Sequence, residues 1–139
     1  MKQLNFSSGT KIYTVNDSGE ISFNPSDPEF VERLHGTFES LEKRQRDYEK
    51  KMRALTEPKK IFEFARKLDR EMRDAIDGIF QSPVSAIVFP NISVYSLAEG
   101  LPIWCNFILA IIDEVDASMS GDEKLSTERI KKYTSKYHK

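Results

Sequence analysis

Two apolar series with helical spacing, separated by a break at Pro58, constrain the fold of this 139-residue chain more than any other sequence feature. The first series steps mostly by three, four or seven residues through Phe30, Leu34, Phe38 or Leu41, Tyr48, Met52 and Leu55. The second runs through Ile61, Ala65, Leu68, Met72, Ala75, Ile76 and Ile79. Such steps place apolar side chains on one helical face. Because the link is short, the two helices are predicted to form a long antiparallel αα-hairpin.

The limits of these helices follow from a capping residue and from prolines. Asp27 followed by Pro28 suits an N-cap and a first helical position, so the first helix is predicted over residues 28–55. Thr56-Glu57-Pro58 ends it and starts the second helix. The facing positions are predicted to be Leu34, Leu41, Tyr48 and Met52 on the first helix and Ile61, Leu68, Met72 and Ile79 on the second.

The rest of the chain predicts a small β-hairpin and a third helix. Alternating residues flank the turn sequence Asn16-Asp17-Ser18-Gly19, which indicates a β-hairpin over about residues 11–23. Residues 81–91 are interpreted as a packed connector or a single helical turn. Apolar residues at helical spacing over 93–117 predict a third, very apolar helix, which Pro102 either kinks or causes to start afresh near Gly100.

The last part of the chain differs in composition from the rest. Ser118 to Asp122 is interpreted as a linker, and beyond it bases outnumber acids, with Tyr133 and Tyr137 interleaved. Few aliphatic residues remain to anchor this segment, which predicts a flexible, mobile tail or a short frayed helix. The domain organisation is therefore one mainly α domain over 1–117 and a basic tail over 118–139.

The sequence offers little for catalysis or for metal and cofactor binding. The histidines are His35 and His138, and the single cysteine, Cys105, lies in the apolar third helix, where a buried inert thiol is expected. Glu71, Asp74 and Asp77 could share a helix edge, but the interleaved arginines favour a solvated ion-pair face. Phosphate-binding glycine motifs are absent from the sequence. We predict a protein that is not an enzyme, with no catalytic, cofactor or metal residues.

The number of aromatic residues favours a protein partner. One apolar stripe per helix closes a three-helix core, and four rings fall partly outside those stripes: Phe62, Phe64, Trp104 and Phe107. Aromatic anchors dominate protein interfaces, so these four are predicted protein-binding residues. A groove for a partner helix and a homo-oligomer are both open alternatives.

Charge and length argue against nucleic acid and membranes as partners. The net charge of −1 gives no overall attraction to either. The basic tail could touch nucleic acid, although such tails are more often solubilising ends. The most apolar stretch, Leu101 to Ile112, is too short to span a bilayer. The N-terminus lacks the apolar region of a signal peptide, so a cytoplasmic location is predicted.

The order of elements resembles a known family. The string Asp27-Pro28-Glu29-Phe30-Val31-Glu32-Arg33 caps a long charged helix, and Ala75-Ile76-Asp77-Gly78-Ile79-Phe80 closes the second helix. An apolar connector ending in Ile87-Val88-Phe89 then leads to a third helix rich in Trp, Phe and Ile. Over roughly residues 12–116 this is similar to small tail assembly chaperone-like proteins encoded in the tail modules of phages and prophages of Gram-positive hosts.

The resemblance implies a non-enzymatic chaperone in the host cytoplasm. Such a protein would bind the helical tape measure protein and tail tube subunits during tail assembly. Two other hypotheses remain open: a structural component of the virion tail, and a helical regulator or inhibitor that binds a host protein.

Overall fold

A computed structural model describes residues 1–137 of the chain. These residues form four helices and two small β-hairpins. Strands β1 (Lys11–Val15) and β2 (Gly19–Phe23) precede the helices α1 (Pro28–Ala54), α2 (Pro58–Phe80) and α3 (Val84–Val88). Strands β3 (Leu97–Ala98) and β4 (Leu101–Pro102) then lead into α4 (Ile103–Tyr137). The mainly α fold class with an N-terminal β-hairpin is confirmed. His138, Lys139 and the side chains of Tyr133, Thr134, Lys136 and Tyr137, all in the predicted tail, lie outside what is described.

The long αα-hairpin forms as predicted. Asp27 caps α1 by accepting the amide of Glu29 at 3.0 Å. Arg33 Nε donates to the carbonyl of Ile79 at 3.0 Å, and the Tyr48 hydroxyl donates to Glu71 at 2.9 Å. The beginning of α1 thus lies beside the end of α2, and the middle of α1 beside the middle of α2, which is an antiparallel pairing.

Most of the predicted facing residues are buried at this helix pair. The buried members are Leu34, Leu41, Leu68, Met72 and Ile79, and the partly buried members are Tyr48, Met52 and Ile61. Burial therefore falls off toward the α1–α2 link. The other elements pack on the opposite end, so the core of the protein lies there.

A chain of aromatic rings connects the first β-hairpin to the helices. Tyr13 of β1 stacks on Phe23 of β2 at a centroid distance of 4.6 Å, and Phe23 stacks on Phe30 of α1 at 5.0 Å. Both phenylalanines meet Phe80 at the end of α2, at 5.5 and 5.3 Å. Phe80 in turn lies 5.8 Å from Phe107 of α4. A two-stranded hairpin is marginal alone, and these ring contacts hold it on the body.

Close approach of the backbone also docks this hairpin. A Cβ atom on Gly19 would lie 2.6 Å from Cγ2 of Ile87, so a larger residue here would force the Ile87 side chain of α3 to move. The Ser18 hydroxyl is 3.0 Å from the carbonyl oxygen of Ile87 and donates to it or to Val15. The turn of the hairpin is therefore seated directly on α3, which is the single helical turn proposed for the connector.

The third predicted helix needs a correction at its N-terminal side. Residues 93–102 are not helical. Glu99 and Gly100 have φ angles of 55° and 82°, which are the positive values of a tight turn that joins antiparallel strands. The amide of Ile103 donates to Ser96 and that of Trp104 to Val94. The helix therefore starts afresh after Pro102, at Ile103.

The predicted linker at Ser118–Asp122 is also corrected. These residues are helical, and α4 continues without a break to Tyr137. Polar contacts tie the middle of α4 to the N-terminal part of the chain: Tyr13 donates to Glu114 at 2.8 Å, and Ser26 donates to Asp122. Glycine at 121 lowers helix propensity by only about 1 kcal/mol, which an established helix tolerates. Mobility of residues 118–139 stays a prediction.

Candidate functional site

The four aromatic residues predicted to bind a partner lie in different environments. Phe62 is 61% exposed on α2, while Phe64 is half-buried with its ring edge against Tyr48, 6.3 Å between centroids. Trp104 and Phe107 are only 2% and 8% exposed, because the core-facing stripe of α4 includes both positions. The structure does not bring the four rings together, and it leaves Phe62 and Phe64 as the accessible members of the set.

Phe107 nevertheless lines an apolar groove on the surface. The groove has a volume of about 440 Å³ and lies between the end of β1, α3, the β3 strand and α4. Its lining residues are Val15, Asn16, Val88, Phe89, Ile92, Ala98, Ile103, Asn106, Phe107 and Ala110. We call this feature the α4 groove.

Aromatic packing fixes one part of the groove lining. Phe89 meets Phe107 edge-on, at a centroid distance of 5.6 Å and an interplanar angle of 87°. Both rings are nearly inaccessible to water, whereas Ile92 and Ala98 in the same groove are exposed. The Asn106 amide donates to the carbonyl of Ala98 at 2.9 Å and holds β3 against α4. The α4 groove thus joins a rigid buried surface to an accessible apolar edge.

Charged side chains of α2 hold the segment that carries Phe89 and Ile92. Arg73 pairs with Asp69 at 2.8 Å and donates to the carbonyls of Phe89 at 3.0 Å and Ile92 at 2.6 Å. The second oxygen of Asp69 accepts the amide of Val94 at 2.8 Å. These bonds satisfy backbone groups that have no helix or sheet partner. Arg73 and Asp69 therefore position one wall of the α4 groove.

Asp77 anchors α3 in the same way. Its two carboxylate oxygens accept the amide of Ser85 at 2.7 Å and the hydroxyl of Ser85 at 3.1 Å. Of the three acids considered for a metal site, Asp77 thus serves the fold, and Glu71 accepts from Tyr48. Within residues 1–137, His, Cys, Asp and Glu form no group of three or more that could hold a metal ion.

The chemistry of the α4 groove suits apolar groups. All ten lining residues are aliphatic, aromatic or asparagine, so none of these side chains changes charge near neutral pH. Exposed apolar residues Leu97 and Leu101 lie on the adjoining β3–β4 hairpin. A volume of about 440 Å³ is within the range of roughly 300–1,000 Å³ found for binding pockets. The arrangement can accept apolar side chains and offers two carboxamides for hydrogen bonding.

The residues considered for nucleophilic chemistry lie elsewhere. Cys105 is half-buried on α4, and burial, with a smaller effect of Glu42, raises the pKa of its thiol. A raised pKa keeps the thiol protonated near neutral pH and lowers its nucleophilicity. His35 is exposed on α1.

A second, smaller cavity lies between α1 and α2 near their link. It has a volume of about 180 Å³ and is lined in part by Tyr48, Met52, Leu68 and Tyr95. Burial raises the pKa of the Tyr95 hydroxyl, and the nearby Tyr48, Glu71 and Asp69 raise it further. Burial and the carboxylate of Glu71 raise the pKa of Tyr48. Both phenols therefore lose their protons only at a higher pH than an ordinary tyrosine does.

Sequence reasoning missed most of the α4 groove because its walls come from four separate elements. Phe89, Ile92 and Ala98 lie in a region whose local pattern predicted connector or helix, and their spatial neighbours are distant along the chain. The signal that could have found it is the pair Glu99-Gly100 beside Pro102, which marks a turn and helix start, not a continuous helix.

Comparisons with known proteins gave no match to a family model, to a curated protein or to a solved structure. In residues 1–137, every helix is too short or too polar to cross a membrane.

Proposed function

We propose that this protein is a non-enzymatic assembly chaperone that binds an apolar helical segment of another protein in the α4 groove. The single observation that carries the proposal is the groove itself, an apolar surface with uncharged lining that the chain leaves open beside exposed Leu97 and Leu101. Helices with one apolar face commonly dock in grooves of this kind.

The chemistry of the groove defines the partner segment. Because the ten lining residues carry no charge, a buried charged group on the partner would have no ion-pair partner there and would cost free energy. The segment should therefore present leucine, isoleucine or phenylalanine at helical spacing toward the groove, and a polar face outward. Charged faces of α1 and α2 would keep the complex dispersed.

The resemblance to tail assembly chaperones suggests which partners the protein binds and where it acts. A tape measure protein is a long helical chain with apolar stripes that need cover before assembly, and tail tube subunits are the other partner that the family implies. On this proposal the protein acts in the cytoplasm of the host cell and is absent from the finished particle.

Binding of a tape measure segment tests the proposal directly. The full-length protein would be titrated calorimetrically with helical segments of a tape measure protein from the same genome. Ala110 is exposed and lines the groove, so Ala110→Glu should place a charge in the binding surface and weaken binding by roughly tenfold or more. Ala117→Glu, at an exposed alanine of the same helix that does not line the groove, should bind like the wild type.

Equal binding by Ala110→Glu and the wild type would show that the partner binds outside the α4 groove. Absence of binding to every tape measure segment and to tail tube subunits would refute the tail chaperone role. Detection of the protein in purified mature particles would instead favour a structural component of the virion tail. Cys105→Ser and His35→Gln are expected to retain the assembly activity, and its loss in a folded variant would indicate an enzyme.

A further inference from the structure

The second half of α4 extends beyond the core. From residue 119 onward every side chain that the structure describes is exposed, among them the apolar Met119, Leu125 and Ile130. At 1.5 Å per residue, residues 119–137 span about 28 Å. Most helical stability in proteins comes from tertiary packing of one helix face, and the described side chains of this segment are all exposed. A covering surface would stabilise this segment and bury its apolar side chains.

Charge is distributed along α4 with a clear polarity. Residues 113–123 contain five acids and no base: Asp113, Glu114, Asp116, Asp122 and Glu123. Residues 124–132 contain four bases and one acid: Lys124, Arg129, Lys131, Lys132 and Glu128. The net charge along the helix thus changes from negative to positive between residues 123 and 124. Two such helices repel if they lie parallel in register, and they attract if they lie antiparallel about this point.

Two of the three exposed apolar residues agree with the same point of symmetry. Met119 and Ile130 are 11 residues apart in the sequence, which is close to three helical turns and places both on one face of α4. Their midpoint lies between residues 124 and 125. In an antiparallel pair, Met119 of one chain would therefore lie opposite Ile130 of the other. The two-fold symmetry gives two such contacts in each dimer.

We propose that the occupant of this surface is a second copy of the chain, bound through an antiparallel pairing of the two α4 helices about an axis near residues 124–125. The acidic stretch of each copy faces the basic stretch of the other, and Met119 packs against Ile130 of the second copy. This is an isologous, two-fold interface, in which one surface binds itself. It leaves the α4 groove outside the contact, so it does not depend on the proposed function.

Sedimentation of charge variants of the full chain tests the pairing. The wild type should dimerise with rising concentration, and more weakly as salt is added, because the charges are exposed. Asp116→Lys with Glu123→Lys, or Lys124→Glu with Lys131→Glu, should each raise the dimer dissociation constant by roughly tenfold or more, because the pairing places residue 116 beside residue 131 of the second copy and residue 123 beside residue 124. The variant with all four changes should recover affinity to within about threefold.

These four positions are exposed, so the variants should keep the circular dichroism spectrum and thermal unfolding of the wild type at low concentration. A wild type that stays monomeric at every concentration would overturn the proposal. The surface would then be left for another occupant, either residues 1–10 of the same chain or a different protein. Failure of the fourfold variant to recover affinity would overturn it as well.

Thiol cross-linking determines the direction of the pair. In a Cys105→Ser background, Ser126→Cys lies near the proposed axis and should link two copies through a short bis-maleimide. Met119→Cys should not, because the two thiols would be about 11 residues, or roughly 16 Å, apart along the axis. Efficient linking at position 119 would show a parallel pair and refute the antiparallel one.

Discussion

The two halves of α4 form one continuous helix but are stabilised in different ways. The first half places Trp104, Ile108 and Val115 in the core, each at most 2% exposed. The second half, from residue 119, has only exposed side chains among those described, and Ile130 is 63% exposed. The contrast shows that one continuous helix combines a segment buried in the core of this chain with a segment that the chain itself leaves exposed. It also means that the two halves should respond differently to the same change.

The largest expected effect is a matched truncation of isoleucine in the two halves. Ile108→Ala removes a fully buried side chain and should lower the free energy of unfolding by about 2–5 kcal/mol, since it leaves a cavity. Ile130→Ala should change it by no more than about 0.5 kcal/mol. Urea unfolding at low protein concentration measures both. Similar losses for the two variants would refute the contrast between the halves.

A smaller effect is expected where polar bonds, not apolar burial, hold the body together. Arg73→Met removes the ion pair with Asp69 and the bonds to the carbonyls of Phe89 and Ile92. We expect a loss of about 2–3 kcal/mol, because hydrogen bonds from a charged donor are lost and Asp69 is left without its cation. Hydrogen exchange should accelerate in residues 89–94.

Arg70→Met, at an exposed position one residue from Asp69, is the control for Arg73→Met. It should leave exchange in residues 89–94 unchanged. If Arg73→Met also left this exchange unchanged, Arg73 would not position the wall of the α4 groove.

Alkaline pH should weaken the contact between β1 and the middle of α4. Burial and the adjacent Glu114 raise the pKa of Tyr13 to about 12 from 10.0. The folded state thus favours the neutral phenol, and the stability that it contributes is fully present below pH 10 and lost as pH rises through about 12. The wild type should lose more stability than Tyr13→Phe over this interval, as measured by urea unfolding at successive pH values. Parallel losses in both proteins would contradict this assignment.

The smallest effect is expected from adding one methyl group to each of two helices. Cβ atoms on Gly36 and Gly121 would meet nothing within 4 Å, so alanine should favour the helix by up to about 1 kcal/mol at either site. Gly36→Ala in α1 should raise the midpoint of thermal unfolding. Gly121→Ala should mainly slow hydrogen exchange in residues 119–137. An equal rise in the unfolding midpoint for both would show that the second half of α4 unfolds together with the body.

The αα-hairpin was predictable because its signals are local. Asp27 and Pro28 set the start of α1, Pro58 sets the start of α2, and the apolar steps between them define the buried face. The β-hairpin was equally local, since Asn16 to Gly19 specify the turn. Both predictions are confirmed by the structure.

The α4 groove and the fate of the predicted binding residues were not predictable from local pattern. Trp104 and Phe107 fall in the core because Phe38, Phe80 and Phe89 approach them from three other elements, and such tertiary proximity leaves no periodic signal. The helical state of residues 118–122 was missed because Ser118, Ser120 and Gly121 favour a linker locally. In the structure the preceding turns of α4 already provide the start of that helix.

Trp104 gives this protein a built-in optical reporter. It is the single tryptophan, it lies 6.4 Å from the ring of Phe38, and its buried indole N–H has no hydrogen-bond partner among the described residues. An indole in such surroundings emits at short wavelength, and exposure to water shifts the emission to longer wavelength. Fluorescence will therefore follow melting of the core alone, while far-ultraviolet circular dichroism sums all helical turns. The difference between the midpoints of the two melting curves therefore measures how independently the distal turns of α4 unfold from the core.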